Sequence, residues 1–158
     1  MKLRRPWSAW LVPGVLCLTV AGCVSPPRPV DTSAPGWQVT EAPAVWRPGR
    51  DAPELAGDLW IATHADGSRV VQFLKQGLPV VVVQVSGGTW SLSSPMRSGR
   101  PAGRMPAPPR SVWLVLDGSP PGAPPTPWER MVGDPAGGWT LRNPQTGETL
   151  ECAAPEMP

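Results

Sequence analysis

Between Leu55 and Leu92 the apolar residues come in short blocks separated by turn residues. "LAGDLWIATH" runs into Ala65-Asp66-Gly67, and "SRVVQFLK" follows. Asp-Gly between two apolar runs signals a hairpin, because Gly accepts the positive φ that the turn requires. Gln76-Gly77 marks a second turn and Ser86-Gly87-Gly88 a third, with "LPVVVVQVS" between them and "TWSLS" after. The pattern predicts a meander of four antiparallel strands. Val80, Val81, Val82 and Val83 leave no polar position, which fits a central strand covered on both faces.

The flanking regions are less regular. "GWQVT" begins like a strand, but Pro43 and Pro48 interrupt "EAPAVWRPG" and leave residues 37–46 ambiguous. Residues 94–110, "SPMRSGRPAGRMPAPPR", hold five prolines, which remove donors and disfavour helical neighbours. Arg97, Arg100, Arg104 and Arg110 in this loop either keep it solvated or contact phosphate or lipid headgroups. "SVWLVLDG" is too short for periodicity to choose between a strand and two helical turns. "WERMVG" alternates, "DPAGG" turns, and "WTLRN" and "ETLECA" form a closing pair around Pro144-Gln145-Thr146-Gly147. In that pair Trp139, Leu141, Leu150 and Cys152 share one face, and Thr140, Arg142, Thr149 and Glu151 share the other. The expected fold is mainly β. It is an antiparallel meander.

The N-terminus has a different pattern. A cationic head, Met1-Lys2-Leu3-Arg4-Arg5, precedes an apolar run over residues 7–20 that ends in Ala21-Gly22-Cys23. These are the parts of a secretory signal peptide. The run is shorter than the roughly 20 residues that span a bilayer. Val20-Ala21-Gly22-Cys23 resembles the lipobox of bacterial lipoproteins. That resemblance implies cleavage before Cys23, a diacylglyceryl group on its thiol and a lipid anchor. Two or three acyl chains hold a protein on a membrane where one gives marginal binding. Val24, where such proteins carry Asp for inner-membrane retention, implies the outer membrane if the cell has two. The organisation expected is a leader at 1–22, a Pro-rich tether at 23–35 and one β domain at 36–158.

Composition alters the picture in three ways. Removing the 22 leader residues from 158 leaves 136, one small domain. Lys2, Arg4 and Arg5 leave with it, so 11 of 14 cations remain against 12 acids and the side chains sum to about −1. A nearly neutral domain argues against nucleic acid as partner. Of three cysteines only Cys152 is left once Cys17 is removed and Cys23 lipidated, so no disulfide framework is expected. Cys152 reads as a small half-buried apolar residue, with an intermolecular disulfide as the alternative. Nine tryptophans against one Phe and no Tyr, spread along the chain, suggest one aromatic per structural element.

Candidate chemistry is sparse. His64 is the single histidine, beside the Asp-Gly turn, and reads as a strand-end residue. No GxSxG elbow, GxGxxG or Walker loop is present, and there is no Cys/His cluster. The reading is a non-enzyme with no cofactor and no metal.

Residues 77–121 resemble part of the LolA and LolB lipoprotein-localisation family. "VVVVQVSGGTWSLSSPM" is similar to a strand–turn–strand there, and "MPAPPRSVWLVLDGSPP" to its Pro-led apolar helix. Trp113, Leu114, Gly118 and Pro120 stand as counterparts of that helix's closing motif. "WTLRNPQTGETLECA" is similar to the late hairpin. The resemblance implies a mainly β curved sheet or incompletely closed barrel, with a short lid helix near 111–117, over an apolar cavity that takes acyl chains. Two departures are the short mature chain and the Pro-rich 94–110 segment where the family is commonly helical. The candidate pocket residues are Trp60, Val81, Val83, Trp90, Leu92, Trp113, Leu114 and Trp139. Two functions compete: a module binding acyl chains or a lipoprotein, and an accessory lipoprotein docking to an envelope assembly. Tryptophans facing an open cavity favour the first; tryptophans packed in a closed core favour the second.

Overall fold

The structure is a computed structural model and describes residues 30–96, 98–116, 124–133 and 137–154. The leader, Cys23, Arg97, Gly118 and Pro120 lie outside the described residues. Six strands come first: β1 (Trp37–Arg47), β2 (Leu55–His64), β3 (Arg69–Lys75), β4 (Leu78–Ser86), β5 (Thr89–Ser93) and β6 (Ala102–Arg104). A single helical turn, α1 (Val112–Val115), leads to β7 (Glu129–Val132), β8 (Trp139–Arg142) and β9 (Thr149–Cys152). All pair antiparallel in one nine-stranded sheet, ordered β6-β5-β4-β3-β2-β1-β9-β8-β7. β6 and β7 are its two edges, so the sheet is open and half-barrel-like rather than a closed barrel.

The hairpins form where the sequence predicts them. At the first, Gly67 has φ +85° and donates to the His64 carbonyl at 3.0 Å. The Asp66 carboxylate accepts from the Ser68 amide at 2.7 Å, which fixes the turn from its other side. In the closing pair Trp139 stands opposite Cys152 and Leu141 opposite Leu150, in the register that the alternation implies.

Four expectations need correction or completion. β1 runs unbroken through Pro43. The Pro43 carbonyl accepts from the Ala153 amide at 3.0 Å. A strand residue's N–H and C=O point to the same side, so the missing donor faces the end of β9 and not the β1–β2 ladder. The 94–110 segment is not all loop, for β6 pairs with β5 inside it. There Gly103 lies opposite Trp90, and a Cβ at 103 would come within 2.9 Å of the indole nitrogen. The described part of this block, residues 111–116, holds one helical turn, with Val112, Trp113 and Val115 all buried. A helix apolar on every side has no polar face to reveal it. Finally, β4 is central in the sheet, yet its two faces are unequally covered. Val81, Val83 and Val85 are buried, while Val80 and Val82 are half-buried.

The registers carry one face across the whole sheet. Leu59, Phe73, Val81 and Trp46 stand on the same side as Val83, Leu92, Leu141 and Leu150. These residues and the α1 side chains Val112, Trp113 and Val115 form one apolar core. Its aromatic centre is Trp46, Phe73 and Trp113, with ring centroids 5.0 to 6.0 Å apart.

Candidate functional site: an apolar crevice beside the core

Strand alternation sorts the candidate pocket residues. Val81, Val83, Trp90, Leu92 and Trp113 are brought together in the core, and Leu114 and Trp139 pack against it part-buried. Trp60 does not join them. It lies opposite Glu41 and Gln72, one residue out of phase with Leu59 and Ile61, and so points from the other face of β2.

Three of the candidates, Val81, Leu92 and Trp113, border a crevice of about 190 Å³ with Trp46, Pro48, Ser94 and Met96. β1 supplies Trp46, β4 Val81, β5 Leu92 and α1 Trp113. Met96 is 54% exposed at the crevice while the two indoles are almost fully buried. The space is smaller than the roughly 300–1,000 Å³ of ordinary small-molecule sites. It suits the end of one slender apolar chain. Trp139 lines a different hollow, of about 440 Å³, with Ala44, Gly57 and Cys152.

The sequence reading missed Trp46, Pro48 and Met96. Trp46 had a signal: Ala42, Ala44 and Trp46 alternate inward along β1, but the prolines masked the strand. It also missed Glu148, which is buried at 3% exposure in the turn before β9. The Trp46 indole N–H and the Ser111 hydroxyl both donate to Glu148 Oε1, each at 3.2 Å. Ser111 precedes α1 and makes no capping bond to it, its hydroxyl being engaged by Glu148 instead. One carboxyl group thus joins the two elements whose indoles wall the crevice. A third buried indole, Trp128, donates to the Pro109 carbonyl at 2.8 Å. The Trp113 indole N–H is buried and has no hydrogen-bond partner among the described residues.

The remaining chemistry-bearing residues sit elsewhere. His64 ends β2, its Nδ1 2.9 Å from Asp66 and its ring 5.2 Å from that of Trp37. The Ser68 amide, and secondarily His64, hold the Asp66 carboxyl down at about 2. Burial pushes the Cys152 thiol up to about 11, so it is a protonated apolar group at neutral pH. Arg100, Arg104 and Arg110 are exposed. Set against family models and against curated proteins, the chain matches none.

Proposed function

We propose that the chain is a lipoprotein of the cell envelope, lipidated on Cys23 and held at the outer membrane facing the periplasm. Its β domain binds an apolar ligand such as an acyl chain or a lipoprotein's lipid. The observation that carries the binding reading is the crevice between Trp46, Val81, Leu92, Met96 and Trp113, open beside an apolar core. The half-barrel-like sheet with one short helix against it agrees with the resemblance to LolA and LolB. Each methylene buried contributes about 0.8 kcal/mol, so even a few in the crevice give measurable affinity.

Two measurements test the two halves of this reading. Radiolabelled palmitate should enter the wild-type chain and not Cys23→Ala; equal labelling contradicts the anchor. A fluorescent fatty acid should bind saturably, be displaced by unlabelled fatty acid and shift the tryptophan emission. No saturable signal up to the probe's solubility limit contradicts the binding.

A second reading, an accessory lipoprotein docking to an envelope assembly, is favoured by how fully the inner face is filled. Trp46, Trp90, Trp113 and Trp128 are each at most 7% exposed in a packed core. The edge strand β7 exposes Met131 and Val132, at 48% and 77%, for a partner strand. Absent ligand binding, together with co-purification that a charge at Val132 abolishes, would select it.

A further inference from the structure

β1 is 11 residues long and its neighbour β9 only 4. Their register runs from Ala44 to Arg47, with one further bond from the Ala153 amide to the Pro43 carbonyl. On its other side β1 is paired with β2 from Trp37 to Trp46. The N–H and C=O of one strand residue point to one side, and those of the next residue to the other. Pro43 faces β9, so Glu41 and Val39 face that side too, where they have no backbone partner among the described residues. Thr40 and Ala42, between and beside them, face β2. A stretch of open strand edge thus lies in the body of the sheet. Beyond β9, the next residue in step with Ala153 is 155, a proline with no N–H to give Glu41. Exposed edges are ordinarily blunted by shortness, lysine, proline or a bulge. The outer strands β6 and β7 follow that rule, at 3 and 4 residues. The β1 edge over residues 37–42 does not: it holds one charge, Glu41, and residues 38–41 are exposed.

We infer that this edge pairs with the same edge of a second copy of the chain, antiparallel and centred on Thr40. Self-pairing in that register uses every open group: Val39 of each copy exchanges both backbone hydrogen bonds with Glu41 of the other. Charge permits it. Glu41 falls opposite Val39 and not opposite its own counterpart, and beyond the leader the chain's cations and acids nearly cancel, so two copies approach with little repulsion. Thr40 meets Thr40, a favourable cross-strand pair, at a position that the core leaves exposed. The paired edge is short, so the association is weak and depends on concentration.

The register makes the test specific. Two residues 40 would stand with Cα atoms about 4.5 Å apart, within disulfide reach, and two residues 41 would stand diagonally with Cβ atoms about 7 Å apart, beyond it. The full chain, as Thr40→Cys and as Glu41→Cys, is oxidised with copper phenanthroline, the native cysteines being common to both. Peptide mass spectrometry should find the 40–40 link at least about tenfold more abundant than the 41–41 link. Equal yields would overturn the pairing. Glu41→Pro removes an edge donor and leaves the β1–β2 ladder intact, as Pro43 already does in the same strand. Added to Thr40→Cys, it should abolish the link with little change in melting temperature, and an undiminished link would overturn the pairing. Hydrogen exchange of the wild-type chain needs no variant. The Val39 and Glu41 amides should slow as the protein is concentrated, while those of Thr40 and Ala42 are slow at every concentration. Rates at Val39 and Glu41 that ignore concentration would overturn the inference: fast ones mean a bare edge, slow ones an edge covered from within the same chain.

Discussion

The two faces of the sheet are made from the same strands and differ in almost everything else. In β4 Val81, Val83 and Val85 lie in the core, and Val82 and Gln84 between them do not. In β2, Leu59 is 2% exposed while its neighbour Trp60 is half-buried on the opposite side. The outer face is not uniformly polar. Ala62 and Val70, opposite each other on β2 and β3, are buried there at 0% and 2%, outside the main core. Side-chain type therefore does not tell the faces apart, since Trp and Val occur on both. Position within the register does.

Charge placed on adjacent residues of β4 separates the faces most sharply. Val81→Asp buries a carboxylate in the core and should cost more than about 4 kcal/mol, read as a collapsed denaturation midpoint. Val82→Asp, one residue along, should cost about 1 kcal/mol or less, since its side chain reaches water. Similar losses would mean that both faces are closed.

Truncating one tryptophan on each face is the next test. Trp46→Ala should cost about 3–5 kcal/mol, as for other buried aromatics, and Trp60→Ala about 1–2 kcal/mol. Thermal unfolding of the two variants checks the order. A larger loss at Trp60 would place the main packing on the outer face.

Glu148 probes what holds α1 against the inner face. Glu148→Ala removes the acceptor of two buried donors and should cost about 2–4 kcal/mol. Glu148→Gln keeps a carbonyl oxygen in place and should lose less than half of that. Equal losses in the two variants, measured by urea denaturation, would show that the Trp46 and Ser111 bonds contribute little.

The smallest effect belongs to the exposed first hairpin. The folded Asp66 carboxyl titrates near 2 against the usual 3.8, so its contribution is present above 3.8 and is lost as the pH falls toward 2. Wild type should lose Tm faster across that window than Asp66→Asn. Parallel curves would mean that the Ser68 amide bond contributes nothing.

How legible all this is in the sequence depends on how local each signal is. The β2–β5 hairpins are local: Asp66-Gly67, Gln76-Gly77 and Gly87-Gly88 announce them, and the turns form there. The β8–β9 pair is likewise local, and its alternation gives the facing residues. The pairing of β1 with β9 joins Ala44 to Cys152 and has no local signature at all. β6 and α1 are too short for any period to show, at three and four residues. The candidate site divides the same way. Val81, Leu92 and Trp113 stand out as apolar residues of clear blocks. Trp46 is hidden behind Pro43. Met96 lies in a Pro-rich stretch that reads as solvated loop. Glu148 follows a Gly in a polar turn, and it is buried only once the chain brings Trp46 and Ser111 against that turn.

The central claim is that an acyl chain enters on the inner face, at the crevice. A diazirine-bearing hexadecanoic acid, irradiated with the full chain in a fluorinated surfactant and mapped by peptide mass spectrometry, tests it most directly. The account predicts adducts on Trp46, Leu92, Met96 and Trp113, suppressed by excess unlabelled fatty acid. Adducts confined to outer-face residues such as Val39 and Trp60, or labelling that no competitor reduces, would contradict it.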